Sequence, residues 1–290
     1  MEIICKIILS NHLINQEKGR IISTNKYIMA DIDPKKKSYF KFQAPKPENK
    51  DIIFGVQSVL ETIRAGKEIE KILVQRELGN IELLEFARLK NIPVSKVPKE
   101  KLDRVTRKNH QGVIAFVSAI NYAKMDVVVA GIYEKGEVPL ILILDRITDV
   151  RNFGAIARTA ECAGVQLIIL PTKGAAQINA DAMKTSSGAL NFIPVSREED
   201  LVKAIIYLQD SGIQIIACTE KADQDMYAVD FTIPTALVMG SEEDGISDEI
   251  LRKVDAYATI PQMGRVASLN VSVASGVVLF EAIRQRKLTV

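Results

Sequence analysis

From Val138 onward, short runs built almost wholly of Ile, Leu and Val recur at regular intervals, and stretches of helical spacing separate them. The runs fall at 140–144, 166–170, 213–217, 236–239 and 257–260. A strand with one wet face alternates apolar and polar residues; these do not, so they predict strands buried on both faces. Helical patterns at 154–163, 180–187, 198–210, 247–254 and 269–286 lie between or after them. Strand and helix in regular succession predict an α/β domain with a parallel sheet over 138–290.

The first 137 residues read differently. Residues 1–50 carry ten Lys and Arg, a Lys35–Lys37 run and three prolines, and are expected to form a basic, poorly ordered extension. Residues 51–120 suggest a small α/β domain. A helix follows Phe54-Gly55 and stops at Gly66, strands are expected at 69–75, 92–97 and 113–118, and helices at 81–90 and 100–106. The basic stretch Arg104–Gly112 lies just before the last strand, and 121–137 reads as a linker with some helix.

Charge follows the same division. Residues 1–120 hold 22 Lys and Arg against 14 Asp and Glu, an excess of eight cations; residues 121–290 hold 16 against 22, an excess of six carboxylates. A basic front joined to a mildly acidic back fits a polyanion-binding module attached to something else, although solvated lysine faces give the same numbers. The three cysteines, Cys5, Cys162 and Cys218, are far apart, which suggests reduced thiols in a cytoplasmic protein. The two histidines, His12 and His110, leave no histidine in the back domain for a hydrolase triad or a histidine-based metal centre. No metal is expected. No apolar run reaches the ~18 residues of a membrane span, and the start is too short and too charged for a signal peptide. No glycine fingerprint of a dinucleotide site and no phosphate-binding lysine loop follows any strand.

Three strand-to-helix loops concentrate the polar residues of the back domain. In the first, 145–158, Asn152 stands just before Gly154 and Arg158 one turn into the helix, among small apolar residues. Asn152 is read as a helix cap, and Arg158 as either an ion-pair residue or an anion binder with a planar donor fork. In the second, Gly240–Gly245, Gly240 permits close backbone approach to a ligand and Gly245 a positive φ. The carboxylates Glu242–Asp244 there are read as caps for the next helix rather than metal ligands. The third, 260–270, ends in Ser268-Leu269-Asn270 at the start of a long apolar helix, where free N–H groups bind a ligand or small residues merely pack closely.

Taken together the three loops resemble the three motifs of the SpoU (TrmH) family of RNA ribose 2′-O-methyltransferases. The first is DRITDVRNFGAIARTAECAGV, the second LVMGSEEDGIS and the third IPQMGRVASLNVSVASGVVLFEA. The FGVQSVLE start and HQGVIAF end of the front domain are similar to the L30e-like RNA-binding domain of the branch that methylates a guanosine of 23S rRNA, as is AQINADAMKTSSGAL. Where the second motif usually has Gly, this chain has Glu243.

The resemblance implies a SPOUT domain, an α/β fold with a parallel sheet and a deep trefoil knot, behind a small L30e-like α/β domain. It implies a homodimer, RNA as substrate, and S-adenosylmethionine (AdoMet) as cofactor. Carried over by motif, Arg158 binds the adjacent phosphate and stabilises the reacting ribose oxygen, Asn152 orients Arg158 or the ribose, Glu242 supports the loop and Arg158, and Ser268 and Asn270 position the target nucleotide and the cofactor loop, partly across the dimer. Thr219, Met239, Gly240, Gly245, Ile260, Met263, Ser268 and Leu269 line the cofactor site, and Gly264 leaves room beside it. Arg104, Arg107, Lys108 and His110 contact RNA. A tRNA substrate, or a non-catalytic RNA-binding or ribosome-assembly factor on the same fold, are the alternatives.

Overall fold

The structure is a computed structural model that describes residues 52–220, 224–266 and 268–288. The expected basic extension, 1–50, lies outside the described residues.

The first part of the chain runs β1 (Ile52–Phe54), α1 (Val56–Arg64), β2 (Ile69–Gln75), α2 (Ile81–Leu89), β3 (Val94–Val97), α3 (Lys99–Val105) and β4 (Val113–Val117). Its four strands form one sheet in the order β1-β4-β2-β3, in which only β2 and β3 run parallel. Side chains alternate across that sheet. On one face Ile72, Val74, Val113 and Ala115 meet Val59, Leu60 and Ile63 of α1 and Leu83 and Ala87 of α2. On the other, Leu73 and Ile114 meet Leu102 of α3.

The chain continues through α4 (Met125–Glu134), β5 (Leu140–Leu144), α5 (Val150–Cys162), β6 (Leu167–Pro171), α6 (Ala180–Thr185), β7 (Val195–Glu198) and α7 (Leu201–Asp210). It ends with β8 (Gln214–Cys218), β9 (Thr235–Met239), α8 (Asp248–Leu251), β10 (Ala256–Ala258) and α9 (Val271–Leu288). The six strands form one parallel sheet in the order β10-β8-β9-β5-β6-β7. The apolar runs are explained by two cores. Leu140, Leu142 and Leu144 face α5 and α9, while Ile141 and Ile143 face Val129 of α4 and Ala204, Ile205 and Leu208 of α7. Residues 121–137 are therefore more than a connection, because Met125 and Val129 of α4 complete the second core.

Two short strands were not legible. β1 and the edge strand β7 have only three and four residues, and β7 reads Val-Ser-Arg-Glu, with no apolar run. The helix expected from 198 begins only at Leu201, after β7, and the helix expected over 247–254 holds only Asp248–Leu251. α5 begins a turn earlier than its apolar spacing indicated, because Asp149 caps it: its Oδ1 accepts from Arg151 N and Asn152 N, each at 2.8 Å.

After β7 the chain crosses to the far side of β5, so the direction in which strands are added reverses between β5 and β9. In open parallel sheets the crevice outside the carboxyl ends at such a reversal is the usual ligand site.

Candidate active site

At that crevice the loops after β5 and β9 are locked together. Gly240 follows β9, and a Cβ there would lie 2.2 Å from the carbonyl carbon of Gly245, so no larger residue fits. The sequence read this glycine as permitting close approach of backbone to a ligand; the space a Cβ would take is also needed by the loop's own backbone. Ser241 and Gly245 exchange N–H···O bonds of 3.1 and 3.0 Å, and Gly245 adopts the expected positive φ of 70°. The buried Asp145, at the end of β5, accepts from Ser247 N at 2.7 Å. Arg146 donates to the Gly245 carbonyl at 3.1 Å and to Asp244 at 3.3 Å. Asp145 and Arg146 carry this geometry and were missed by sequence; the only signal was their place at a strand's carboxyl end.

The latch aims Glu242 away from α8, which the sequence expected it to cap, and at the start of α9. Glu242 Oε1 accepts from Asn152 Nδ2 at 3.1 Å, Asn270 Nδ2 at 2.5 Å and Val271 N at 3.3 Å. Asn270 Nδ2 also reaches Asn152 Oδ1 at 3.1 Å. Asn270 Oδ1 in turn caps α9, accepting from Ser272 N at 3.0 Å and Ser272 Oγ at 2.5 Å. Asn152, expected to cap α5, is released from that task by Asp149. One residue from each of the three loops thus enters one hydrogen-bonded triad. A carboxylate beside the N-terminus of an 18-residue helix is favourably placed against its dipole. Asn152, Glu242 and Val271 line an open cavity of about 540 Å³ together with Arg146, Thr148 and Asp149.

Arg158 is not part of this triad. It sits six residues beyond Asn152 on α5, about a third of a turn away around the helix, and its side chain is exposed. On α9, which packs against α5, the exposed Val273 and Phe280 stand seven residues apart, each 52% exposed. Seven residues make two turns, so both point the same way. α5 and α9 pack closely enough that a Cβ at Gly276 would lie 3.4 Å from Thr159 Cγ2.

The residues expected at a cofactor site divide into two groups. Thr219, Met239, Gly240 and Ile260 lie at or just beyond the ends of β8, β9 and β10, and the register pairs Cys218 with both Met239 and Ala258. They occupy one edge of the sheet. Met263, Ser268 and Leu269 lie on an exposed loop, with Met263 99% exposed. Gly245 faces the latch, where both its backbone polar groups are already bonded.

Of the four residues expected to meet RNA, Arg104, Arg107 and Lys108 are exposed at the end of α3 and beyond it. His110 is 5% exposed: Nδ1 accepts from Gly112 N at 3.0 Å, leaving Nε2 to donate to Asp103 at 2.9 Å. It shapes the loop and offers no ring edge to a ligand. Among the described residues no cluster of His, Cys, Asp and Glu could hold a metal ion, and no helix is long and apolar enough to cross a membrane.

Comparison with known proteins supplies context for this geometry. Residues 139–280 match the model of the SpoU rRNA Methylase family, and residues 52–123 match that of the RNA 2′-O ribose methyltransferase substrate binding domain. A TrmH family tRNA/rRNA methyltransferase of Bacillus subtilis is 34% identical over 81% of this chain and 96% of its own length. The SpoU methyltransferase AviRb of Streptomyces viridochromogenes, solved with AdoMet, superposes with a TM-score of 0.53 at 25% identity, covering 82% of this chain and 90% of that one. An AdoMet-bound rRNA methyltransferase of Sinorhizobium meliloti gives 0.51 at 27% identity, covering 80% and 86%.

Proposed function

Because the chain belongs to the SpoU/TrmH family of RNA methyltransferases, we propose that it uses AdoMet to methylate a ribose 2′-hydroxyl of RNA, a guanosine of 23S rRNA by preference. The observation that carries this reading is the Asn152–Glu242–Asn270 triad, assembled from three separate loops beside an open polar cavity. The domains are 51–120 for RNA binding and 138–290 for catalysis, joined by 121–137, with a trefoil knot in the second. The protein works in the cytoplasm.

The residues present fit the cofactor. Thr219, Met239, Gly240 and Ile260 offer neutral side chains and backbone at one strand edge, and the exposed apolar Met263 and Leu269 with Ser268 lie on the loop that follows β10. AdoMet when bound supplies an electrophilic methyl group. A ribose hydroxyl is a weak nucleophile and must lose its proton as it attacks. Arg158 does not remove that proton, since a guanidinium stays charged at any ordinary pH. It grips the neighbouring phosphate, whose oxygen accepts the hydroxyl proton as the methyl leaves the sulfonium, and stabilises negative charge developing on the ribose oxygen. Asn152 and Asn270, fixed by Glu242, orient the nucleotide.

Arg158 reaches a reacting nucleotide from the partner protomer. The exposed Arg158 of α5 and the exposed Val273 and Phe280 of α9 support this, since the two helices pack against each other. A two-fold axis there would build each site from two chains.

The test is methyl transfer from labelled AdoMet to unmodified 23S rRNA and, separately, to bulk tRNA, with the product mapped by 2′-O-methyl sequencing. One guanosine ribose of 23S rRNA is the expected product. Transfer to tRNA alone replaces the substrate and keeps the chemistry. AdoMet binding without transfer to either RNA overturns the enzymatic reading in favour of a binding factor.

A further inference from the structure

Between the two sheets lies a second cavity, of about 250 Å³, that the catalytic reading does not use. Its floor is a closed ionic cluster. Glu70 at the start of β2 pairs with Arg197 of β7 at 3.5 Å and accepts from the Tyr122 hydroxyl at 2.5 Å. Arg197 also donates to the Glu70 and Thr172 carbonyls, each at 3.2 Å, and its guanidinium stacks 4.8 Å from the Tyr122 ring centre. Glu70 is thus fully engaged, and it is the one acidic residue in the wall.

The remaining charges of the wall are positive. Lys71 and Lys173 line it, and among the described residues neither has a carboxylate within ion-pair distance. Lys71 lies 4.8 Å from the Phe116 ring centre, and partial burial followed by the nearby Lys101 holds its ammonium below the usual lysine range. Burial and Lys101 outweigh the pull of the Glu70 carboxylate on this ammonium, so a further anion favours it. Gln177 adds a neutral donor: its Nε2 is buried in the same wall with no hydrogen-bond partner. An orphaned buried donor is costly and calls for an acceptor.

The loop after β6 gives this cavity its place. Thr172 and Lys173 line both it and a neighbouring groove along the end of α2, which contains Arg88 and one acid, Glu199. Gly174, the next residue, lines both it and the cavity beside the catalytic triad. One loop therefore touches three consecutive depressions, from the first sheet to the reacting centre.

We propose that the cavity between the sheets is a seat for one backbone phosphate of the RNA substrate, held by Lys71, Lys173 and Gln177. The proposal rests on the reading of the chain as an RNA methyltransferase. The seat positions the strand as it passes from the front sheet to the triad, so Lys71 and Lys173 are positioning residues. Phosphate contacts fix register without reading sequence.

Two variants of the full chain test this. K71Q/K173Q should raise KM for RNA about 10-fold with kcat within about 2-fold, and should flatten the plot of log affinity against log salt by about 1. AdoMet affinity should stay unchanged. Q177L should bind RNA more weakly yet melt at the same temperature or higher, because it removes an unpaired buried donor; a residue with only a structural role would show the reverse. Lysine acetylation mapped by mass spectrometry separates the sources of the anion. Protection of Lys71 and Lys173 by RNA but not by millimolar inorganic phosphate supports the seat as proposed. Protection by inorganic phosphate alone makes it a small-anion site and overturns the RNA assignment. If wild type methylates RNA while K71Q/K173Q keeps its KM and salt slope, the seat is wrong and the function stands. If wild type neither binds nor methylates RNA, the function has failed first.

Discussion

The two sides of the candidate site differ in how much of each the single chain completes. On the loop side, Asn152, Glu242 and Asn270 satisfy one another, Asp145 and Arg146 latch the turn beneath them, and Gly240 admits no side chain. On the helix side, Arg158, Val273 and Phe280 face outward with no such closure. The first side is held in place by its own hydrogen bonds, which suits the positioning role proposed for it. The second is open, and it holds the exposed Arg158 to which the proposed chemistry assigns charge stabilisation. The contrast teaches that folding alone closes the loop side, whereas the role proposed for Arg158 requires a second chain over the helix side.

The strongest way to break that contrast is Arg158→Ala. Methyl transfer should fall at least ~100-fold, near 3 kcal/mol of transition-state stabilisation, while melting temperature and AdoMet affinity hold. A fall in stability of similar size would instead make Arg158 a folding residue. Mixing R158A with N270A sharpens the test. If Arg158 acts across a two-fold interface, heterodimers regain one intact site, and an equal mixture should recover about a quarter of wild-type activity. No recovery would place Arg158 and Asn270 in the same protomer's site.

Gly240→Ala probes the closed side. A Cβ at 2.2 Å from backbone cannot be accommodated by a side-chain shift, so the loop must open. A loss near ~3 kcal/mol in chemical denaturation is expected, at the upper end for overpacking. Asn270→Ala is milder. It removes the α9 cap, worth about 1 kcal/mol, and leaves Asn152 held by Glu242 alone. Turnover should drop about 10-fold, a little over 1 kcal/mol. An unchanged rate would show that the triad is scaffold.

What sequence could show follows the same division. β5 was legible because Leu-Ile-Leu-Ile-Leu has no polar residue and so must have two covered faces. β7 was not, because an edge strand of Val-Ser-Arg-Glu is defined by its neighbour and not by its own pattern. The three loops were legible as polar breaks between buried runs, but their pairing was not. Asn152 looked like a cap because it precedes Gly154; only the structure shows Asp149 doing that work and freeing Asn152 for Glu242. His110 looked basic and exposed among Arg104, Arg107 and Lys108, and proves buried through partners, Asp103 and Gly112, that spacing alone does not reveal.

The smallest effect is chemical, and it reads both sides in one experiment. Cys218 ends β8, beside Thr219 on the strand edge, and its thiol packs against the core; burial pushes it up to about 12. Thiolate is the reactive form, so Cys218 should resist alkylation at pH 7.5 until the protein unfolds. Cys162 is exposed at the end of α5, one turn beyond Arg158 and on the same side of the helix. It should react readily in a dilute monomer and more slowly as concentration drives two copies together through this face. Phe280→Glu, which puts charge into the apolar stripe, should keep Cys162 reactive at every concentration without changing Cys218. Peptide mass spectrometry of iodoacetamide-treated protein assigns each thiol separately. A Cys162 rate independent of concentration in wild type would leave α5 and α9 uncovered, and Arg158 would then have to reach the substrate within its own chain.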